Sequence, residues 1–168
     1  MSDVQRPSSI IEKCLICIPY LYGVIDMFFR FSPTLIMNFE LTSYWEGIID
    51  EYFVYYSNLQ YLPHIMFLFL YVGIVRNSSK RINYFLQYNA MQYLILFTAE
   101  QLLYDLFLRT CFNYLDTTFT LTVAVLCVFS ITLLSIDCIL NILMGRYSEI
   151  PIITDAVLVH IGDKRRKS

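Results

Sequence analysis

The strongest constraint on this chain is where its charges are missing. No Asp, Glu, Lys or Arg lies between Glu51 and Arg76, between Arg81 and Glu100, or between Asp116 and Asp137. Each gap is close to the ~20 residues that a helix needs to cross a bilayer. A further apolar run follows Lys13 and continues through Phe31, interrupted by Asp26 and carrying Pro19. Its bulky, aromatic half from Tyr20 to Phe31 lacks the small-residue cleavage site of a signal peptide, so it reads as a retained helix. Only 15% of the 168 residues are charged and 57% are hydrophobic, whereas an ordinary soluble domain carries about 25% charged residues. A soluble fold is excluded on that ground.

The spacing predicts an all-α, polytopic integral membrane protein with four transmembrane helices plus an amphipathic interfacial helix. The spans fall at about 14–31, 59–75, 82–107 and 117–144, with a tail over 145–168, in a single membrane domain. Short loops rich in Lys and Arg stay on the side of synthesis. The turn with Arg76, Lys80 and Arg81, the N-terminal Arg6 and Lys13, and the terminal Lys164-Arg165-Arg166-Lys167 all fall on one side. The loop with Glu40, Glu46, Asp50 and Glu51 against Arg30, and the loop with Asp105 and Asp116 around Arg109, fall on the other. Both termini are therefore expected on the inner side.

Between the first two spans, Ser32-Pro33 reads as a helix start, with Ser as N-cap and Pro in the first turn. The helix expected there, over about 33–57, puts Trp45, Ile48, Ile49, Tyr52 and Tyr56 on one side and Glu46 and Asp50 on another. Such a helix lies along the membrane interface or docks against protein. Tyr84, Tyr88, Tyr104 and Trp45 read as interface anchors. In the tail, Ile150 to Ile153 forms an extended apolar knot, too short to span, that packs on the bundle or on a partner.

Chemistry has few places to reside. Acids inside spans are costly, about 3 kcal/mol each at a helix centre, and this chain has Asp26, Glu100 and Asp137. Asn89, Gln92, Leu96 and Glu100 share one stripe of the third span, and Ser130, Asp137 and Asn141 share one on the fourth. These stripes make either a polar seam that accommodates cargo, an ion or a partner, or hydrogen-bonded glue between helices. No multi-histidine metal spacing surrounds His64 or His160, and Cys14-x-x-Cys17 has neither a second pair for zinc nor a βαβ setting. The odd set of five cysteines, mostly in apolar segments, argues against a disulfide framework. No Gly-rich phosphate loop or nucleophile elbow is present, so the chain is expected to be no enzyme, to use no cofactor and to bind no nucleic acid. Only residues 1–13 precede the first span, which leaves no room for a transit peptide and suggests synthesis inside any organelle that houses the protein.

The segment Tyr71-Val72-Gly73-Ile74-Val75-Arg76-Asn77, followed by Tyr88-Asn89-Ala90-Met91-Gln92, resembles the twenty-kilodalton subunit of the chloroplast inner-envelope protein translocon (Tic). Glu149-Ile150-Pro151-Ile152-Ile153-Thr154-Asp155-Ala156 resembles the family's C-terminal stretch. The first span departs from the family pattern, with Met27-Phe28-Phe29-Arg30 after Asp26 where a Leu-Asp-Gly turn is usual. The resemblance implies a multi-pass subunit of the plastid inner envelope with both termini in the stroma, helping preproteins cross. Its partners would be other translocon subunits, preproteins in transit and membrane lipid, with self-association an option, because four helices alone do not readily enclose a polypeptide-wide pore. On that reading Asn89, Gln92 and Glu100 face cargo or a partner, with Asp137 and Asn141 in the same seam, while Arg76, Lys80 and Arg81 fix topology. The alternatives are a small-solute or ion transporter coupled through Asp26, Glu100 and Asp137, and an assembly scaffold without a translocation path.

Overall fold

The computed structural model describes residues 9–39, 61–76, 83–114 and 117–161, and every regular element among them is helical. Helix α1 spans Ile10–Phe39, and α2 covers Leu62–Val75 in an α-helical half (Leu62–Leu68) and a π-helical half (Phe69–Val75). Helix α3 is Tyr84–Tyr114, α4 is Thr117–Met144 and the short α5 is Ile153–Ile161.

Local chemistry explains the helix ends. Ser9 and Glu12 form a capping box: Glu12 N–H donates to Ser9 Oγ at 3.2 Å and Ser9 N–H donates to Glu12 Oε2 at 2.9 Å. Asn83 caps α3, its Oδ1 accepting from Phe85 N–H at 3.1 Å. Helix α4 ends at Gly145, whose φ of 73° lets Gly145 N–H reach Ile142 O at 2.9 Å and Arg146 N–H reach Asn141 O at 2.8 Å. Lys13 Nζ donates to Leu143 O at 3.0 Å, so a side chain from α1 satisfies another carbonyl at the same helix end.

The Ser32-Pro33 helix start is corrected. Helix α1 runs through both residues to Phe39. Pro33 has no N–H to offer Phe29 O, the carbonyl four residues back. Ser32 Oγ donates to that carbonyl at 2.8 Å instead, so the helix continues without an orphaned acceptor. Arg30 consequently sits inside the helix and not in a loop. The rest of the expected amphipathic helix, with Trp45, Glu46 and Asp50, lies outside the described residues, as do Lys80 and Arg81.

Helix α1 makes its broadest contact with α4, and α3 packs against all four other helices. The core between them is rich in aromatic residues: Phe31 meets Phe107 at 4.8 Å between ring centroids, and Tyr20 meets Tyr93 edge-on at 5.3 Å. Outward faces are apolar as well, including Leu15, Ile18, Ile25 and Phe28 on α1 and Leu126, Phe129, Leu133 and Leu140 on α4. Two segments, Ile10–Ser32 and Thr118–Met144, are long and apolar enough to cross a membrane, with only 44% and 22% of their apolar windows buried inside the protein. A soluble core helix would hide such a window; here more than half of each window faces outward, as a hydrocarbon surrounding would favour.

The tail returns to the bundle. Ile152 adopts a positive φ of 69°, and Ile153 N–H closes a tight turn onto Pro151 O at 2.8 Å. This conformation is unfavourable for a β-branched residue. It turns the knot into α5, which lies against α3 with Val157 fully buried.

Candidate functional site

Three polar residues of α3 point inward along one line. Asn89 and Gln92 are fully buried, Glu100 is 1% exposed, and Leu96 lies buried between them. They take part in two separate polar clusters.

The first ties the tail to the bundle, with Ser148 as its hub. Ser148 O accepts from Tyr88 OH at 3.0 Å and from Gln92 Nε2 at 3.4 Å. Ser148 Oγ donates to Asp137 Oδ2 at 2.8 Å and lies 3.7 Å from Cys138 Sγ. Asn141 Nδ2 donates to the same Asp137 oxygen at 3.1 Å. Nearby, Tyr20 OH of α1 donates to Asn89 O at 3.0 Å, and Asn89 Nδ2 turns back to Phe85 O at 2.8 Å. Tyr84 and Tyr88 are thus corrected from interface anchors to core residues, packed with Phe85 around Tyr147. The reason is the tail, which supplies both a ring to pack on and a carbonyl for the buried Tyr88 hydroxyl.

The second cluster begins at the middle of α3 and extends one turn further along it. Arg30 Nε donates to Asp26 Oδ2 at 2.7 Å, one helical turn away, and Gln101 Nε2 reaches the same oxygen at 3.4 Å. The guanidinium carbon stands 5.3 Å from the Tyr104 ring centroid, a cation–π contact that holds Tyr104 half-buried against α1. Glu100 is within electrostatic reach of both Asp26 and Arg30. Gly23 faces the same place: a methyl group there would meet Glu100 Oε2 and the Tyr93 ring at 3.5 Å each, an ordinary van der Waals contact. Four buried polar atoms here, Asp26 Oδ1, Glu100 Oε1, Tyr22 OH and Tyr93 OH, have no hydrogen-bond partner among the described residues. Among the described residues the Arg30 guanidinium is ion-paired with Asp26 and not with Glu100, in a setting where unpaired polar groups are expensive.

Beside this cluster runs a groove of about 290 Å³ between α2 and α3, lined by His64, Phe67, Phe97, Thr98, Gln101 and Leu102. Gln101 belongs to both features.

A family model described as "Chloroplast import apparatus Tic20-like" matches residues 5–157. The chain belongs to the Tic20-like family. It is also similar to a Tic20 family protein, Ycf60, of Porphyra purpurea, 24% identical over 148 residues that cover 86% of this chain and 73% of that protein. The match to the family model takes in both polar clusters and the groove.

The residues singled out from the sequence fall in different places. Asn89 and Gln92 join the tail cluster and Glu100 the far one, all three enclosed by the chain's own helices. Asp137 is exposed and Asn141 half-buried; they meet Ser148 and form no common seam with Glu100. Arg76 stands exposed at the end of α2, its N–H bonded to Tyr71 O at 2.8 Å. Periodicity gave no hint of Ser148, which lies in the irregular connection between α4 and α5. The Asp26–Arg30 pairing, by contrast, was available in the four-residue spacing of opposite charges.

Proposed function

We propose that the chain is a four-span, non-enzymatic subunit of the protein-import translocon of the plastid inner envelope, with both termini in the stroma. The observation that carries the reading is a family match running across nearly the whole chain, from residue 5 to 157. Supporting it are the two membrane-length apolar helices and α3, whose 31 residues make a rod about 46 Å long at 1.5 Å per residue. The fourth span is α2, a shorter apolar helix in the described residues. The basic turn carrying Arg76, Lys80 and Arg81 lies on the stromal side with the termini.

In this role the subunit helps preproteins cross as one wall of a conduit completed by other translocon subunits or further copies. The test places photo-crosslinkers at exposed positions of α3, such as Leu102 and Leu106, and at Leu133 and Leu140 on α4, with a preprotein arrested in transit. Cargo adducts from α3 support a conduit wall. Adducts confined to neighbouring membrane proteins instead support a scaffold, the second reading, which is favoured by the enclosure of Asn89, Gln92 and Glu100 within the bundle. Normal import without the protein would refute both.

A further inference from the structure

We propose that Lys13 and Arg146 form a binding site for an anionic lipid, holding the phosphate or sulfonate of its headgroup at the end of the bundle where α1 begins and α4 stops. The proposal rests on α1 and α4 crossing the membrane and stands whether or not the chain takes part in import.

Placement is the first argument. Lys13 belongs to the first turn of α1, and Arg146 follows the Gly145 cap of α4. The contact between these two helices is the broadest in the bundle, and it brings the two cations together. Lys13 Nζ donates to Leu143 O at 3.0 Å and lies 3.1 Å from where a methyl group on Gly145 would stand, one residue from Arg146. The Arg146 backbone is fixed by its N–H bond to Asn141 O at 2.8 Å, while the residue itself is exposed.

Charge is the second argument. Leu143 O takes one of the three ammonium donors of Lys13, and a carbonyl leaves the charge uncompensated. Among the described residues no acid forms an ion pair with Lys13 or Arg146. Glu12, next to Lys13 in sequence, accepts from Ser9 N–H in the capping box, and Asp137 of α4 accepts from Ser148 and Asn141. Two cations held side by side on separate helices repel each other. An anion beside them turns that cost into charge-assisted hydrogen bonds.

The surroundings select the kind of anion. From the two cations toward the middle of the bundle both helices turn apolar side chains outward, Leu15 and Ile18 on α1 and Leu140 and Leu143 on α4, each more than half exposed. Ile10 and Ile11, 80% and 72% exposed, carry apolar surface past Lys13, which puts the cations within the membrane boundary and not beyond it. A soluble anion would use the cations and leave that apolar surface bare. An acidic glycerolipid uses both, with its headgroup at the cations and its acyl chains along the apolar faces below.

The test uses the full chain in nanodiscs of phosphatidylcholine doped with phosphatidylglycerol, with native mass spectrometry counting the lipids that stay bound when the disc is stripped away. Phosphatidylglycerol should be retained in preference to phosphatidylcholine. Arg146→Gln and Lys13→Gln should each weaken its binding about fivefold. Lys13→Gln also removes the bond to Leu143 O, so Arg146→Gln, which keeps its backbone bond, carries the decision. Arg109→Gln, which removes an exposed cation near the C-terminal end of α3, should leave retention unchanged. Equal retention of the two lipids, or an equal loss from Arg109→Gln and Arg146→Gln, would overturn the proposal. Equal stabilisation by inorganic phosphate in discs of pure phosphatidylcholine would overturn it as well, by showing that a free anion suffices.

Discussion

Removing the Tyr88 hydroxyl and the Gln92 amide together should cost more than the sum of removing each. Both donate to Ser148 O, whose residue is fully buried. Tyr88→Phe loses the shorter bond, but the carbonyl keeps Gln92, so the cost is that of one net hydrogen bond, about 1 kcal/mol. Gln92→Leu loses a long bond of 3.4 Å and also removes Oε1, which is buried without a partner among the described residues. Those effects oppose each other, and the change should stay within about 0.5 kcal/mol of wild type in either direction. In the double variant no donor among the described residues remains for Ser148 O, and an unsatisfied buried carbonyl costs about 1–3 kcal/mol. The coupling should therefore be about 1 kcal/mol or more. Reversible unfolding in bicelles measures the four stabilities, with proteolysis of the tail reporting whether α5 detaches. Additivity within about 0.5 kcal/mol would refute the reasoning, because independent sites behave that way.

Gly145→Ala should destabilise by about 1 kcal/mol, since the position needs φ of 73° and a methyl group would meet Lys13 Nζ at 3.1 Å; an unchanged unfolding midpoint would count against that cap. Asn83→Ala should cost about 1 kcal/mol by removing the α3 cap, with faster amide exchange at Phe85 as the local sign. Arg30→Met should lower stability by roughly 2 kcal/mol by stranding the Asp26 carboxylate, less than a fully buried pair because Arg30 keeps some exposure, and adding Asp26→Leu should recover most of the loss. A double variant no more stable than Arg30→Met would show that the pair does not act as a unit. Charge reversal at Arg76 and Arg81 together should disturb topology, so unchanged protease accessibility of both termini would argue against their orienting role.

The helical class and the inward line of Asn89, Gln92, Leu96 and Glu100 were legible because helix geometry converts spacing directly into direction. What that line faces was not legible, since burial depends on which helices close over it. Pro33 illustrates a second limit. A proline after a serine has the local form of a helix start, yet inside an apolar helix the same serine hydroxyl can satisfy the carbonyl that proline frees. Asp137 illustrates a third: it shares a helix face with Ser130 and Asn141, but it accepts its short hydrogen bond from Ser148, a residue of the connection between the Gly145 cap and the positive φ of Ile152. Non-local closure of this kind leaves no periodic trace.

The broad contact between α1 and α4 has a consequence for biogenesis. During synthesis α1 emerges before α2, α3 and α4, yet its main packing partner is the last of these three. Until α3 is made, α1 also lacks Gln101, the residue of another helix that bonds Asp26. Its acid is neutralised from within, because Arg30 sits one turn along the same helix and bonds to it directly. An ion pair local in sequence can form as soon as that turn exists, which lowers the cost of inserting a charged helix before any neighbour arrives. The rest of the far cluster, including Glu100 and Gln101, can then assemble late around a pair that was already made.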